Sequence, residues 1–281
     1  MGKVKITGDS ISDLGHLFAE RGIACLPIPI ILGDREGLDG EITPDDIYAY
    51  FNETKTTPKT SAITPEAYYE FFKAQTADGS ELVHFTLSSE MSSCYRNACQ
   101  AASECGGVYV VDSHNLSTGA GLLVLYADDL ASAGENGAAI ARMVNARRDA
   151  VQASFVVDTM TFLYKGGRCS GIAAFVASVL NIKPSIIVSN GKMVVGKKYM
   201  GSTDKAIIKY VADTLKSYSH PDLRYVFVTH TSARPEVVAK VKEEILAAYP
   251  DANIIETIAG ATITSHCGKG TLGVLYFNDA Q

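Results

Sequence analysis

Apolar, β-branched runs recur along the first half of the chain. Val4–Thr7, Ile23–Ile31, Leu82–Leu87, Val108–Val111 and Ser154–Val157 are short, rich in Val, Ile and Phe, and read as buried strands. Between them Pro44–Phe51, Pro65–Lys73, Ser92–Ser103 and Thr118–Ala133 place apolar residues at helical spacing. Two of these stretches open on a proline preceded by Thr43 or Thr64, the arrangement of an N-cap followed by a first-turn proline. Strand and helix in alternation predict a parallel α/β sheet.

The pattern changes near residues 150–155. Pro184–Val188 and Met193–Lys197 are split by Ser189-Asn190-Gly191, a hairpin turn signal. Helical stretches follow at Thr203–Lys216 and Pro235–Ala248, with strands at Tyr225–Thr229, Asn253–Glu256 and Gly273–Phe277. The predicted fold class is α/β in two domains. Residues 1–152 form a parallel α/β domain, and residues 153–281 an α+β domain with a mixed sheet.

Composition narrows the function. At 281 residues with 47% hydrophobic and 20% charged positions, the chain can bury a core without disulfide staples. A net charge of −6 argues against nucleic acid as the main partner, because phosphate binding needs a positive face. The six cysteines include no CxxC pair, which predicts reduced, mostly buried thiols in a cytoplasmic protein. The opening MGKVKITGDS has too short an apolar run for a signal peptide, and Ile6 stands where a myristoylation motif wants Ser or Thr. Asp128 and Asp129 interrupt the most apolar stretch, so no integral membrane segment is expected.

The candidate chemistry lies where strands end. Gly8-Asp9-Ser10-Ile11 resembles the opening block of GDSL hydrolases, whose serine attacks an ester. Those enzymes need a D-x-x-H element, yet the residues three before His220, His230 and His266 are Ser217, Phe227 and Ile263. A serine esterase using Ser10 is therefore the alternative reading, and turn or helix capping by Asp9, Ser10 and Asp13 the simpler one. Pro58-Lys59-Thr60-Ser61 offers adjacent hydroxyls in a polar loop. In Thr86–Tyr95 a strand ends in Ser88, Ser89, Ser92 and Ser93, more hydroxyls than one helix cap requires, at the place where α/β sheets hold anions. Asp112-Ser113 ends the next strand in the same manner, with Ser117 or Thr118 as the expected cap of the helix that follows.

Two further motifs fall in the second half. Lys165-Gly166-Gly167-Arg168 combines close backbone approach with a guanidinium fork for an oxyanion, and is not a Walker motif. His266 sits among small residues and glycines in Ala259–Gly270. No carboxylate pair, metal-spaced His/Cys/Asp cluster or based nucleophile accompanies them, so neither catalysis, nor a metal, nor a cofactor is predicted. Hydroxyls, one Arg and one His suit holding an anionic head group better than breaking a bond.

Taken in order, these blocks resemble the DegV family of fatty-acid-binding proteins, which includes the lipid-binding subunit of bacterial fatty acid kinase. Its T-D-S-x-x-D block corresponds to Gly8–Asp13, P-x-T-S to Pro58–Ser61, and L-S-G-T-Y to Met91–Tyr95. V-D-S corresponds to Val111–Ser113, K-G-G-R-x-S to Lys165–Ser170 with Lys183-Pro184 after it, and H-x-G-x-G to His266–Gly270. Gly8, Ser93-Cys94 and Lys269 depart from the usual Thr, Gly-Thr and Pro. The resemblance implies one long-chain fatty acid between two domains. Its carboxylate would be held at Thr60, Ser61, Ser92 and Ser93, with Arg168 and His266 nearby, and a partner kinase would convert it to an acyl phosphate.

Overall fold

A computed structural model describes residues 3–172 and 182–280. Three sheets organise the chain. The first is a parallel four-stranded sheet of β1 (Val4–Asp9), β2 (Ala24–Leu26), β6 (Glu81–Thr86) and β7 (Val108–Asp112), in the order β2-β1-β6-β7. A small antiparallel sheet joins β3 (Pro29–Leu32) to β4 (Arg35–Leu38) and β5 (Lys59–Thr60). The mixed third sheet contains β8 (Val151–Val156), β9 (Cys169–Ser170), β10 (Ile182–Ser189) and β11 (Lys192–Met200). Its other strands are β12 (Val226–His230), β13 (Ile254–Ile258) and β14 (Leu272–Phe277), and its order is β13-β12-β14-β8-β10-β11-β9. The fold is thus a parallel α/β domain followed by an α+β domain with a mixed sheet.

The predicted single strand Ile23–Ile31 is two strands in two sheets. Pro27 and Pro29 flank the break, and a proline cannot donate to a ladder. Ile28, left between them, donates its N–H to Ser10 Oγ at 3.1 Å. The capping expectations at Thr43 and Thr64 hold: their hydroxyls accept from the Asp46 and Ala67 N–H groups. A helix at Gly137–Arg147 was not expected from the pattern; the Asn136 side chain caps it by accepting from Ala139 N–H at 2.9 Å.

One helix joins the two domains. Ser117–Ser132 is buried along most of its length, with Leu122, Leu123, Val124 and Leu125 fully inside. Its apolar core brings together Val83, Val111 and Leu123 with Ala153, Phe227, Leu275 and Phe277 from the mixed sheet. Fully burying a side chain of this kind contributes roughly 1.5–3 kcal/mol, so several of them fix the domains against each other.

The β10–β11 hairpin locks onto the first domain at its tip. Its two-residue turn, Asn190-Gly191, has φ 49° and 76°, the left-handed pair that favours this sequence. The Gly191 carbonyl accepts from Ser88 Oγ at 2.7 Å, and Lys192 pairs with Glu90 at 3.0 Å. A Cβ on Gly191 would lie 2.7 Å from that hydroxyl. Gly191→Ala is expected to cost about 1–3 kcal/mol, from left-handed strain and loss of the seam contact. Urea unfolding would measure it, and an unchanged midpoint would contradict it.

Candidate functional site

Asp13 closes the adjoining turn through its backbone N–H on the Ser10 carbonyl, but the side chains of Asp9, Ser10 and Asp13 do not cap it; each reaches across the fold. Asp9, fully buried, accepts from Tyr68 Oη at 2.9 and 3.0 Å and from the Leu87 N–H at 3.2 Å, and lies 3.1 Å from His84 Nε2. Ser10 Oγ donates to Asp39 at 2.9 Å while accepting from Ile28 N–H. Its single O–H is thereby committed to Asp39, and no imidazole is among its partners in the described residues. Asp13 accepts from Ser117 Oγ and from the Gly260 N–H, the latter at 2.8 Å.

Gly260 begins the helix Ala261–Cys267, a segment that composition alone presented as a glycine-rich loop. Asp39 accepts from Ala261 N–H at 2.9 Å. Two carboxylates of the first domain therefore hold the N-terminus of a second-domain helix, where free N–H groups favour negative charge. A Cβ at Gly260 would approach Asp39 to 3.1 Å and Asp13 to 3.3 Å, so the position is close to needing glycine.

That helix delivers His266 to Thr60. Thr60 Oγ1 lies 2.9 Å from His266 Nε2, although the residues are 206 positions apart. Thr60 is placed by β5 pairing with Ile30, and the Ser61 N–H is tied to the Pro29 carbonyl at 3.1 Å. Burial, with a smaller contribution from the Arg168 charge, pushes the His266 imidazole down to about 4. It is neutral at neutral pH. Its Nδ1 faces Gly166, where a Cβ would come within 2.8 Å, so the first glycine of the Lys165–Arg168 motif makes room for the ring. Arg168 follows Gly167, which adopts φ 68°, and its guanidinium donates to the Gly166 carbonyl.

A pocket lies beside this pair. Thr60, Ser61, Ser92, Arg168 and His266 line it, together with apolar Ile11, Ile28, Met91, Leu116 and Ile263. Of the predicted site residues, Ser93 is the exception. It is exposed, and its hydroxyl accepts from Arg96 at 3.3 Å rather than facing the cavity. The helix begins at Cys94, two residues later than the Ser92 start expected from the sequence, and Ser93 faces outward. Ser92 Oγ accepts from Cys94 N–H at 3.2 Å.

Thr262 lines the same cavity, with its buried hydroxyl unpartnered among the described residues. Sequence reasoning passed over it, and the small residues around His266 were its only signal. Elsewhere in the Thr86–Tyr95 segment the Ser88 hydroxyl holds the hairpin tip, and the Ser89 backbone N–H donates to Asp112 at 3.1 Å. Nor do Ser117 and Thr118 cap their helix. They bond Asp13 and Thr229 instead.

A second, mostly apolar pocket adjoins it, sharing Leu116, Ile263 and Cys267 with the first. Phe155, Val188, Ala259 and Leu275 extend its walls. A polar pocket thus adjoins an apolar one. This is the usual division of a site that fixes one end of an elongated ligand and buries the rest.

A model of the DegV family, described as uncharacterised proteins, matches residues 3–279. The chain belongs to the DegV family. A fatty acid-binding protein of Thermotoga maritima is 29% identical over 283 residues, covering 96% of both chains. The fatty-acid-binding DegV structure from Thermus thermophilus is 28% identical, with a TM-score of 0.88 over 98% of this chain and 99% of that one. The DegV structure from Bacillus subtilis, at 24% identity, shares the fold with a TM-score of 0.84 across 99% of this DegV chain and all of its own. No described helix is long and apolar enough to cross a membrane.

The carboxylate clasp carries its own pH dependence. Burial, reinforced by nearby Asp39, pushes Asp13 up to about 8 from an ordinary 3.8. The folded state therefore keeps a proton that the unfolded chain releases. This contribution is complete below the unfolded value and is lost as pH rises through the folded one. Asp13→Asn removes it, so the urea midpoint should decline less from acid to mildly alkaline pH in the variant than in wild type. Parallel declines would contradict the assignment.

Proposed function

We propose that the chain binds one long-chain fatty acid between domains 1–152 and 153–281 and presents its carboxylate to a partner kinase. The Thr60–His266 pair, in a polar pocket that adjoins an apolar one, carries this reading. A neutral imidazole has one N–H. Its Nδ1 is buried against Gly166 without a hydrogen-bond partner among the described residues, so we assign the proton to Nε2, facing Thr60 Oγ1. Thr60 then accepts from His266, and its own O–H is left for an acceptor in the cavity. A carboxylate is acceptor-only, which matches.

Ser61, Ser92 and Thr262 would add neutral donors, and Arg168 a cation at the rim. Each acyl methylene buried along the apolar walls contributes about 0.8 kcal/mol, so the tail supplies most of the affinity. At the mouth, a carboxylate oxygen would attack the terminal phosphorus of the kinase's nucleoside triphosphate. A new C–O–P linkage forms as the bond to the diphosphate breaks. In this reading the nucleophile is the ligand's own carboxylate, and the chain acts as a carrier in the cytoplasm rather than an enzyme.

Native mass spectrometry of the mildly purified protein should show a retained long-chain acid. A protein that is always empty and takes up neither palmitate nor oleate would overturn the reading. Thr60→Ala should weaken fatty-acid binding by about 1–2 kcal/mol, one charge-assisted hydrogen bond, measured by competition with a fluorescent acyl probe. Unchanged affinity would remove Thr60 from the site.

A further inference from the structure

The hydroxyls that line the head-group pocket are not prepared alike. With His266 donating to its oxygen, Thr60 has an O–H left for an acceptor in the pocket. The Ser92 O–H is already engaged. Ser92 Oγ donates to Cys94 Sγ at 3.2 Å and accepts from the Cys94 N–H at 3.2 Å. A carboxylate accepts only, so it gains this hydroxyl by drawing the O–H away from the sulfur.

We propose that Cys94 is a positioning residue of the head-group site: it holds the Ser92 O–H on a weak acceptor that a ligand carboxylate readily displaces. The proposal rests on the fatty-acid reading.

The direction of that bond is set from deeper in the first domain. Cys94 is fully buried, and Ser92 rather than Cys94 lines the pocket. Burial, reinforced by Asp9, pushes the Cys94 thiol up, so the sulfur keeps its proton. The thiol interacts with the Tyr68 hydroxyl. Tyr68 cannot donate to it, because its single O–H is committed to Asp9, whose oxygens lie 2.9 and 3.0 Å away. The S–H is therefore the donor toward Tyr68, and the sulfur meets Ser92 as an acceptor. Asp9 is fixed in turn by the Leu87 N–H at 3.2 Å and lies 3.1 Å from His84 Nε2. The protons of Ser92, Cys94 and Tyr68 thus all point inward, toward one buried carboxyl group.

Sulfur is what makes the arrangement useful. A thiol accepts weakly, whereas a hydroxyl oxygen at the same place would hold the Ser92 O–H more firmly against the ligand. The L-S-G-T-Y block has Thr at this place, so this chain puts sulfur where an oxygen is usual. With no acceptor at position 94, the Ser92 O–H would meet the ligand unopposed. Affinity for a carboxylate should then fall in the order Ala, Cys, Ser at that position. Packing alone ranks the same side chains differently, with the native sulfur best and Ala, which leaves the largest void, worst.

A double-mutant cycle on the full chain tests this, with palmitate displacing a fluorescent acyl probe. Cys94→Ala and Cys94→Ser are each measured with Ser92 present and in the Ser92→Ala background. Comparing the two backgrounds cancels altered packing and the lost contact of the thiol with the Ile63 N–H. With Ser92 present, relative to the Ser92→Ala background, Cys94→Ala should tighten palmitate binding by about threefold. Cys94→Ser should weaken it by about threefold on the same comparison. A relative tightening is a result that misfolding cannot imitate, and urea midpoints report the fold of each variant. If Cys94→Ala brings no relative tightening, or Cys94→Ser no relative weakening, while wild type binds palmitate, the proposal is overturned and the fatty-acid reading stands. A wild type that takes up no palmitate overturns both.

Discussion

Two carboxylates from one domain holding the first N–H groups of a helix from the other are the constraint on which the site depends. Asp13 and Asp39 take Gly260 and Ala261, and the short helix they anchor carries Thr262, Ile263, His266 and Cys267 to the cavity wall. With seven residues this helix has little stability of its own, because nucleation is unfavourable and only a few internal bonds follow. Its position is set from outside. Burial pushes the Asp13 carboxyl up to about 8, which eases the placing of two acidic groups side by side in a dry seam.

The same economy runs through the seam. Ser10 binds Asp39 and thereby orients the clasp, while its acceptance of the Ile28 N–H fixes the break between β2 and β3. Ser117 binds Asp13, Thr118 binds Thr229, and Ser88 binds the hairpin tip. Thr118 and Ser88 spend their hydroxyls across the domain boundary, and Ser10 and Ser117 spend theirs on the two carboxyl groups that reach across it. This leaves a polar framework around an apolar core shared by both sheets. A cleft between domains welded in this way is a fixed cavity, which suits a flexible ligand because the protein does not have to be ordered on binding.

Much of this was legible in the chain. Alternating strands and helices gave the parallel domain, and Asn190-Gly191 gave the hairpin whose tip became a seam contact. Thr60, Ser61, Ser92, Arg168 and His266 converge on one cavity although they are spread over 206 positions, as an ordered set of blocks implies but spacing alone cannot show. Three things were illegible for physical reasons. Ser93 lies just before the helix start at Cys94 instead of inside a helix from Ser92, and each residue of a helix turns a side chain by about 100°, so its direction is not fixed by the pattern. Asp39 stands alone in a turn, and nothing local says that its partner is 222 positions away. The helix at Ala261–Cys267 is short, rich in β-branched residues and glycine-flanked, so propensity argues against it and only the clasp makes it stable.

The chemistry of the proposed head-group site follows from the same geometry. A carboxylate that must act as a nucleophile toward phosphorus loses reactivity if a tight, dry ion pair neutralises it, yet it must still be held in one orientation. Hydroxyl donors achieve the second without the first, since they stabilise the anion by hydrogen bonds and leave its charge in place. His266 contributes in the same spirit: buried and neutral, it aims the Thr60 proton instead of adding a cation. Arg168 lines the same pocket but is exposed and tied to its own loop carbonyl, so the cation of the proposed site lies on its solvent side and the Thr60–His266 pair forms its neutral part.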